Sequence, residues 1–539
     1  MKVDALITNA TALEPGGGFR RDRAIAIADG RIVAIASQSE AESLTRPGAR
    51  VYDLAGRALA PGFQDAHMHV LPFGVFARQA DLSPAAGVTS PTALAAALRA
   101  WIEERPSSPW VLGNRYDQNA FPEGRHPTRH DLDRAAPTRP AFVLQTSAHA
   151  GVANTAALRL AGVNRSTPDP EGGRIERDAS GEPTGVLIES ATGLVTRHIP
   201  RPTRAEMVEA LQTAHELLLR RGVTSACDML LGWYDLEDEL AAYCEASASG
   251  RAVRTTLCPG ASRFGGPETL PPRGPFARDA GLDCDDGTVR LGPVKLFADG
   301  ALTTRTAALR EPYADGSGSG MLLIEREELS QWVAVARQTG WAVAVHAIGD
   351  RAIEATVDAL QSAPARPGHA PDRIEHAMVI DSILTSRARA LGVTLVLQPE
   401  FIARLGEGYV RALGEDRASR LAPVAELLQA GVNVAFGSDC PVVPGDPLEG
   451  VRAALRRTTP SGRRLGATQC IELSDALNAY TWAAARAAGD ERDTGRLATG
   501  VRADLVVLEG DLHDPTASDL RVAATMLGGA WVHGAEGAQ

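Results

Sequence analysis

Lysine is almost missing from this 539-residue chain: it occurs only at Lys2 and Lys295, although lysine and arginine together number 55. Arginine supplies nearly all the positive charge. An interior lysine kept in such a chain points to chemistry a guanidinium does not perform, such as Schiff-base formation or capture of carbon dioxide as a carbamate. A surplus of positive charge is also absent. The formal net charge is −11, and no cluster of basic residues interleaved with aromatics stands ready to neutralise phosphates, so no nucleic-acid partner is expected. No apolar run reaches the roughly 18 residues of a membrane span, and the N-terminal stretch lacks the apolar segment and cleavage site of a secretory leader. The expectation is a cytoplasmic protein without a membrane role. Cysteine is sparse, six in all, and never spaced as Cys-x-x-Cys, so free structural thiols are expected rather than a zinc knuckle or redox motif.

What is present describes a folded enzyme-sized chain. Hydrophobic residues at 44% and charged residues at 22% are close to globular averages, and the length suits one large barrel-type domain with appended parts. Short apolar runs at Ala5-Leu6-Ile7, Ala24-Ile25-Ala26-Ile27 and Ile32-Val33-Ala34-Ile35, the last following Asp29-Gly30, read as hairpins. The far end repeats that style from Ala503 to Leu508 and from Val522 to Val532. Both ends are therefore expected to share one small β domain, residues 1–60 with 485–539. Between them, apolar strand candidates alternate with amphipathic helices, as in Met207 to Arg220 followed by Gly222-Val223-Thr224-Ser225-Ala226. That is the alternation of a parallel α/β fold, here assigned to residues 61–484. A stretch rich in Pro, Gly and Arg, about 75–190, fits the alternation poorly and reads as an insertion after the first strand.

The chemistry gathers at strand ends. Asp65-Ala66-His67-Met68-His69 follows the apolar run Leu59 to Phe63, and residues i and i+2 of a strand point the same way, so both imidazoles can grip one metal. Alone, His-x-His describes satisfied core or surface histidines equally well. Partners follow later strand candidates: Lys295 in Val294-Lys295-Leu296-Phe297-Ala298-Asp299-Gly300, His346 in Val343-Ala344-Val345-His346, His376 in Arg373-Ile374-Glu375-His376, and Asp439 in Gly437-Ser438-Asp439-Cys440-Pro441. From 295 to 346, 346 to 376 and 376 to 439 the intervals are 51, 30 and 63 residues, near one or two βα units. Such spacing returns each side chain to one barrel mouth.

These motifs, together with Pro61-Gly62-Phe63-Gln64, His346-Ala347-Ile348-Gly349-Asp350-Arg351 and the Gly495 to Leu508 stretch, resemble the amidohydrolase superfamily and, within it, the N-substituted formamide deformylase-like branch (amidohydrolase family 3). The likeness covers nearly the whole chain. It implies a (β/α)8 TIM barrel, a small β-sandwich domain built from both termini, and an insertion that helps cover substrate. It further implies two divalent metal ions, of zinc type, with His67, His69 and Asp439 on one, His346 and His376 on the other, and a carboxylated Lys295 bridging them. With a single ion, Lys295 stays an amine paired with an acid. Asp439 is implied as the base that accepts a proton from the attacking water and passes it to the departing nitrogen. Asp299 and Asp350, four residues beyond Lys295 and His346, either orient a ligand or cap a helix. His149 and Gln398 are candidates for substrate contact. The expected activity is hydrolysis of an amide-type bond of a small molecule, an N-substituted formamide or N-acyl compound. The alternatives are a deaminase or an esterase or lactonase on the same barrel, and a catalytically silent scaffold. A homodimer is the expected assembly.

Overall fold

The computed structural model describes residues 3–14, 16–44, 47–146, 150–248, 250–279, 287–363, 370–514 and 516–534. The chain forms two compact units, Met1–Pro72 with Ala214–Gln539, and Phe73–Thr213.

In the first unit, one eight-stranded sheet takes strands from both ends of the sequence. Ala58–Pro61 runs parallel to Ala5–Leu13 on one side and antiparallel to Leu505–Glu509 on the other, with Leu59 opposite Val507. Neither end buries enough apolar surface alone. Together Ile7, Ile25, Ile27, Leu59, Leu505, Val507 and Met526 form one continuous core.

Two parallel sheets make up the rest of the unit's strands. The four-stranded sheet runs in the order Val289–Leu291, Arg254–Pro259, Val223–Leu231, Phe63–Met68. The five-stranded sheet runs Val294–Phe297, Val343–Ala347, Arg373–His376, Thr394–Leu397, Asn433–Phe436. Gly292-Pro293 separates Val289–Leu291 from Val294–Phe297 because proline has no N–H to give to a ladder. A parallel bridge from Gly260 to Lys295 links the two sheets across that break. Val343–Ala347, Thr394–Leu397 and Asn433–Phe436 read as short, largely apolar runs, as parallel strands covered on both faces do, whereas Phe63–Met68 and Arg373–His376 bury charged and polar side chains as well.

Helices return the chain between strands. Helix Asp350–Ser362 buries Ile353, Val357 and Leu360, spaced for one face, against the sheet side. Helix Ser382–Leu391 starts at Asp381, whose carboxylate accepts from the Leu384 N–H at 2.8 Å, and stops at Gly392 with φ +68°, a left-handed conformation that suits glycine. Among the described residues, no helix is long and apolar enough to cross a membrane.

The second unit has its own six-stranded sheet, from Gly173–Arg177 through Pro183–Glu189, Ala150–Ala153, Ala141–Gln145 and Val111–Tyr116 to Ala80–Asp81. Its cores centre on Leu82, Leu94, Leu98, Val111 and Val143, and on Phe142, Leu158 and Leu187. It extends on both sides of the Pro- and Gly-rich span 75–190, into helix Arg204–Arg220. The five described cysteines, Cys227, Cys244, Cys258, Cys440 and Cys470, are free thiols.

Candidate metal centre

Register brings the candidate ligands to one end of the parallel strands. Phe297 lies beside His346, His346 beside Glu375, and Ala347 beside His376. The strand Arg373–His376 then ends abruptly, with φ +73° at His376 and +41° at Ala377. Such backbone costs about 1–3 kcal/mol per residue and persists where surroundings hold it. Asp439 has φ +57°. Its segment approaches the first parallel strand so closely that a Cβ on Gly437 would lie 2.5 Å from His67 N, a clash only glycine avoids. Asp439 N–H donates to His67 O at 2.6 Å, and His69 N–H to Cys440 O at 2.8 Å. Asp65 reinforces this junction by accepting from Ser438 N at 3.0 Å, Ser438 Oγ at 2.5 Å and His67 N at 3.1 Å.

Donor atoms of His67, His376 and Asp439 lie within 4.8 Å of one another. Asp439 Oδ1 is 3.1 Å from His69 Nε2 and 3.4 Å from His67 Nε2. The His376 ring sits 4.8 Å from that of His67 and 4.5 Å from that of His346, centroid to centroid. Lys295 is 1% exposed. Burial pushes its amine below the ordinary lysine value, against the upward pull of the Glu375 and Asp439 carboxylates. Burial, reinforced by the Lys295 charge, takes His346 down to about 3, and burial with the neighbouring His346 takes His376 well below its usual value. Both rings are thus neutral near pH 7, the form that offers a lone pair. Asp439 is held well below the carboxylate range; burial alone would raise it, but His67 and His69 reverse the sign.

Hydrogen bonds on the far side of three rings define which nitrogen faces the cluster. His67 Nδ1 lies 2.6 Å from Glu375 Oε2, His376 Nδ1 lies 2.8 Å from Gln398 Oε1, and His346 Nε2 lies 3.0 Å from Gly300 O. Each partner can accept a hydrogen bond from the ring N–H, and in that neutral tautomer the lone pairs lie on His67 Nε2, His376 Nε2 and His346 Nδ1. Glu375 is itself clamped by Arg373, with Nε to Oε1 at 2.8 Å and Nη2 to Oε2 at 3.1 Å. The Arg373 guanidinium, with His67, holds the Glu375 carboxyl well below its usual range despite complete burial. Among the described residues, His69 Nδ1 and Gln398 Nε2 are buried without a hydrogen-bond partner. Converging neutral imidazoles, a carboxylate and a buried amine make a donor set that fits divalent cations.

Of the six expected ligands, His67, His376 and Asp439 bring donor atoms together, His69 adjoins Asp439, the His346 ring adjoins that of His376, and Lys295 is buried where the Glu375 and Asp439 carboxylates act on its amine. Asp299 is fully buried and anchors loops: its oxygens accept from Ala308 N at 2.9 Å, Ile348 N at 2.9 Å and Gly349 N at 2.8 Å, while Oδ1 lies 3.7 Å from His346 Nε2. Burial raises its pKa to about 7. Asp350 is the first residue of its helix and accepts from Arg310 N at 2.8 Å and Arg351 N at 3.0 Å. Gln398 is placed against His376 as described, and His149 lies outside the described residues. Sequence reasoning assigned no role to Glu375, Arg373 or Asp65. For Glu375 and Arg373 a signal existed: two opposite charges at i and i+2, either side of Ile374 and directly before a candidate ligand.

The model of the amidohydrolase family matches residues 50–533. The chain is 34% identical over 511 residues to the YtcJ protein of Bacillus subtilis (strain 168), covering 93% of each. It is 30% identical over 532 residues to the N-substituted formamide deformylase of Arthrobacter pascens, covering 96% of this chain and 95% of that one. Among solved structures, a metal-dependent hydrolase from Pyrococcus horikoshii OT3 superposes with a TM-score of 0.75 at 28% identity, over 95% of this chain and 99% of the other.

Proposed function

This chain belongs to the amidohydrolase family, and on that premise we propose that it hydrolyses a carbon–nitrogen bond of a small amide, an N-acyl or N-substituted formamide type of compound. The observation that carries this reading is the convergence of the His67, His376 and Asp439 donor atoms within 4.8 Å. It is strengthened by the three imidazoles whose outer nitrogens are committed to Glu375, Gln398 and Gly300.

Two zinc-type ions would be held here, one by His67, His69 and Asp439 and the other by His346 and His376, and Lys295, as a carbamate, would supply a ligand to both. When bound, the metal supplies a Lewis acid that lowers the pKa of water and polarises a carbonyl. Arg373 and Glu375 hold the His67 ring in one tautomer, and Gln398 does the same for His376. Asp439 accepts the proton released as water adds to the acyl carbon. It then returns that proton to the nitrogen as the carbon–nitrogen bond breaks, because an amine leaves poorly as an anion. The products are a carboxylic acid and an amine.

For the scaffold, we infer that the two parallel sheets close into one (β/α)8 barrel and that the eight-stranded sheet folds over as a small β-sandwich. The hydrogen bonds from Asp439 N to His67 O and from His69 N to Cys440 O support closure between last and first strands. The division into residues 1–60 with 485–539, and 61–484 carrying an insertion, is part of the same proposal, as are a cytoplasmic location and a homodimer.

The test is a panel of formamides, N-acyl amines, esters and lactones assayed with zinc and bicarbonate present. Selective amide turnover abolished by a chelator supports the proposal. Turnover confined to esters or lactones, or unaffected by chelation, rejects it.

A further inference from the structure

The rings around the centre form one continuous row: Trp233, His69, His67, His376, His346, Phe297. Successive centroids lie 5.5, 5.8, 4.8, 4.5 and 5.3 Å apart. The four histidines are largely buried, but the two end rings are open, Trp233 at 46% and Phe297 at 39% exposure. Of the eight large hydrophobic residues exposed in the described chain, five lie near the ligand-bearing strand ends: Trp233, Phe297, Met321, Leu323 and Val442. Leu323 N–H is tied to Ala298 O, and Val442 N–H to Asp439 O, each at 2.8 Å. Open apolar surface concentrated beside a polar, metal-type centre marks a binding site rather than stray exposure.

Both end rings are held in place. Glu239 accepts from Gly232 N at 2.7 Å, from Tyr234 N and from Asp235 N at 3.2 Å, so the turn on either side of Trp233 is fixed by one carboxylate. Phe297 ends a strand paired with His346, and Lys295 Nζ lies 5.0 Å from its ring centroid. Fixed rings bind without a large ordering cost. The cations acting on the cluster are committed inward: Arg373 is fully buried on Glu375, and Lys295 is 1% exposed. An anionic substituent would meet the Asp439 carboxylate and two aromatic faces, with the Arg263 guanidinium engaged on the Trp233 carbonyl at 3.4 Å.

We propose that Trp233 and Phe297 determine specificity, each offering an apolar face beside the centre, and that the substrate is an amide carrying an uncharged aryl or branched-alkyl substituent held against one of these faces. This rests on the hydrolytic reading above.

The test uses three acetamides that differ only in the nitrogen substituent: 2-phenylethyl, carboxymethyl and aminoethyl. The metal-loaded protein should favour the phenylethyl compound in kcat/KM by at least ~10-fold, the scale of apolar-pocket discrimination. Trp233→Ala and Phe297→Ala should each lower the phenylethyl-to-carboxymethyl ratio by on the order of 10-fold, mainly through KM, with Trp233→Phe restoring most of it. Preference for either charged compound, or an equal loss on all three, overturns the inference. Failure to hydrolyse any of them counts against the amide reading alone. In that event calorimetric binding of N-(2-phenylethyl)acetamide decides: tighter binding to the wild type than to Trp233→Ala supports the inference, and equal binding overturns it.

Discussion

The core of the eight-stranded sheet is built mainly from apolar side chains, with Ile7, Ile25, Leu59, Leu505 and Val507 fully buried. The ends of the parallel strands, by contrast, bury His67, Lys295, Arg373, Glu375 and His376, each at 2% exposure or less. In the first region each side chain adds stability by leaving water. In the second, burial of charge is offset only while every partner is in place, and replacing such buried charged sets by well-packed apolar side chains is often neutral or stabilising. Stability therefore does not account for the charged network, whereas the proposed metal centre gives it a role.

Single substitutions should separate the two regions. Glu375→Ala leaves the buried Arg373 guanidinium unpaired and frees the His67 ring. A loss of about 3–5 kcal/mol is expected in urea unfolding, together with depleted metal in the folded fraction. An unchanged metal content would show that the clamp does not serve the centre. Leu505→Ala, in the terminal sheet, should cost ~2–5 kcal/mol through lost burial and a cavity, while metal titration of the folded protein matches the wild type. Weakened metal binding there would erase the contrast drawn above.

A histidine outside the centre supplies the next comparison. His215 is buried, its Nδ1 has no hydrogen-bond partner among the described residues, and burial lowers its pKa to about 4. The unfolded chain takes up this proton near pH 6.5, whereas the folded chain resists until about pH 4. Its contribution is complete above pH 6.5 and is lost as pH falls through that window, about 3 kcal/mol at the lower limit. His215→Leu should flatten the stability–pH slope between pH 6.5 and 4, and an unaltered slope would assign the acid sensitivity to other groups. The smallest effect belongs to Gln398→Leu, which removes the acceptor for His376 Nδ1. Competition with a chromophoric chelator should show ~10–100-fold weaker metal binding, largely recovered in Gln398→Glu, which keeps an acceptor.

The ligand candidates were legible because each sits in a short polar break at the end of an apolar run, and His-x-His spacing on a strand is local geometry. Glu375 was legible only as a charge beside a candidate ligand, because its role depends on a hydrogen bond to a residue 308 positions earlier. Asp299 was ambiguous for a related reason. Four residues beyond Lys295 it reads equally as cap or ligand orienter, and its donors come from positions 308, 348 and 349. The shared β character of the two chain ends was visible in their alternating apolar runs. The pairing of Leu59 with Val507 was not, since register between distant strands leaves no local trace. Across residues 75–190, Pro- and Gly-rich turns mark the composition and hid short strands such as Val111–Tyr116 and Ala141–Gln145.

The account stands or falls on the metal centre, and metal content by mass spectrometry of protein produced with zinc and bicarbonate addresses it directly. The result predicted is about two divalent ions per chain, falling when Lys295 is changed to Arg, since a guanidinium cannot form the bridging carbamate. Protein that folds normally yet retains no metal would contradict it.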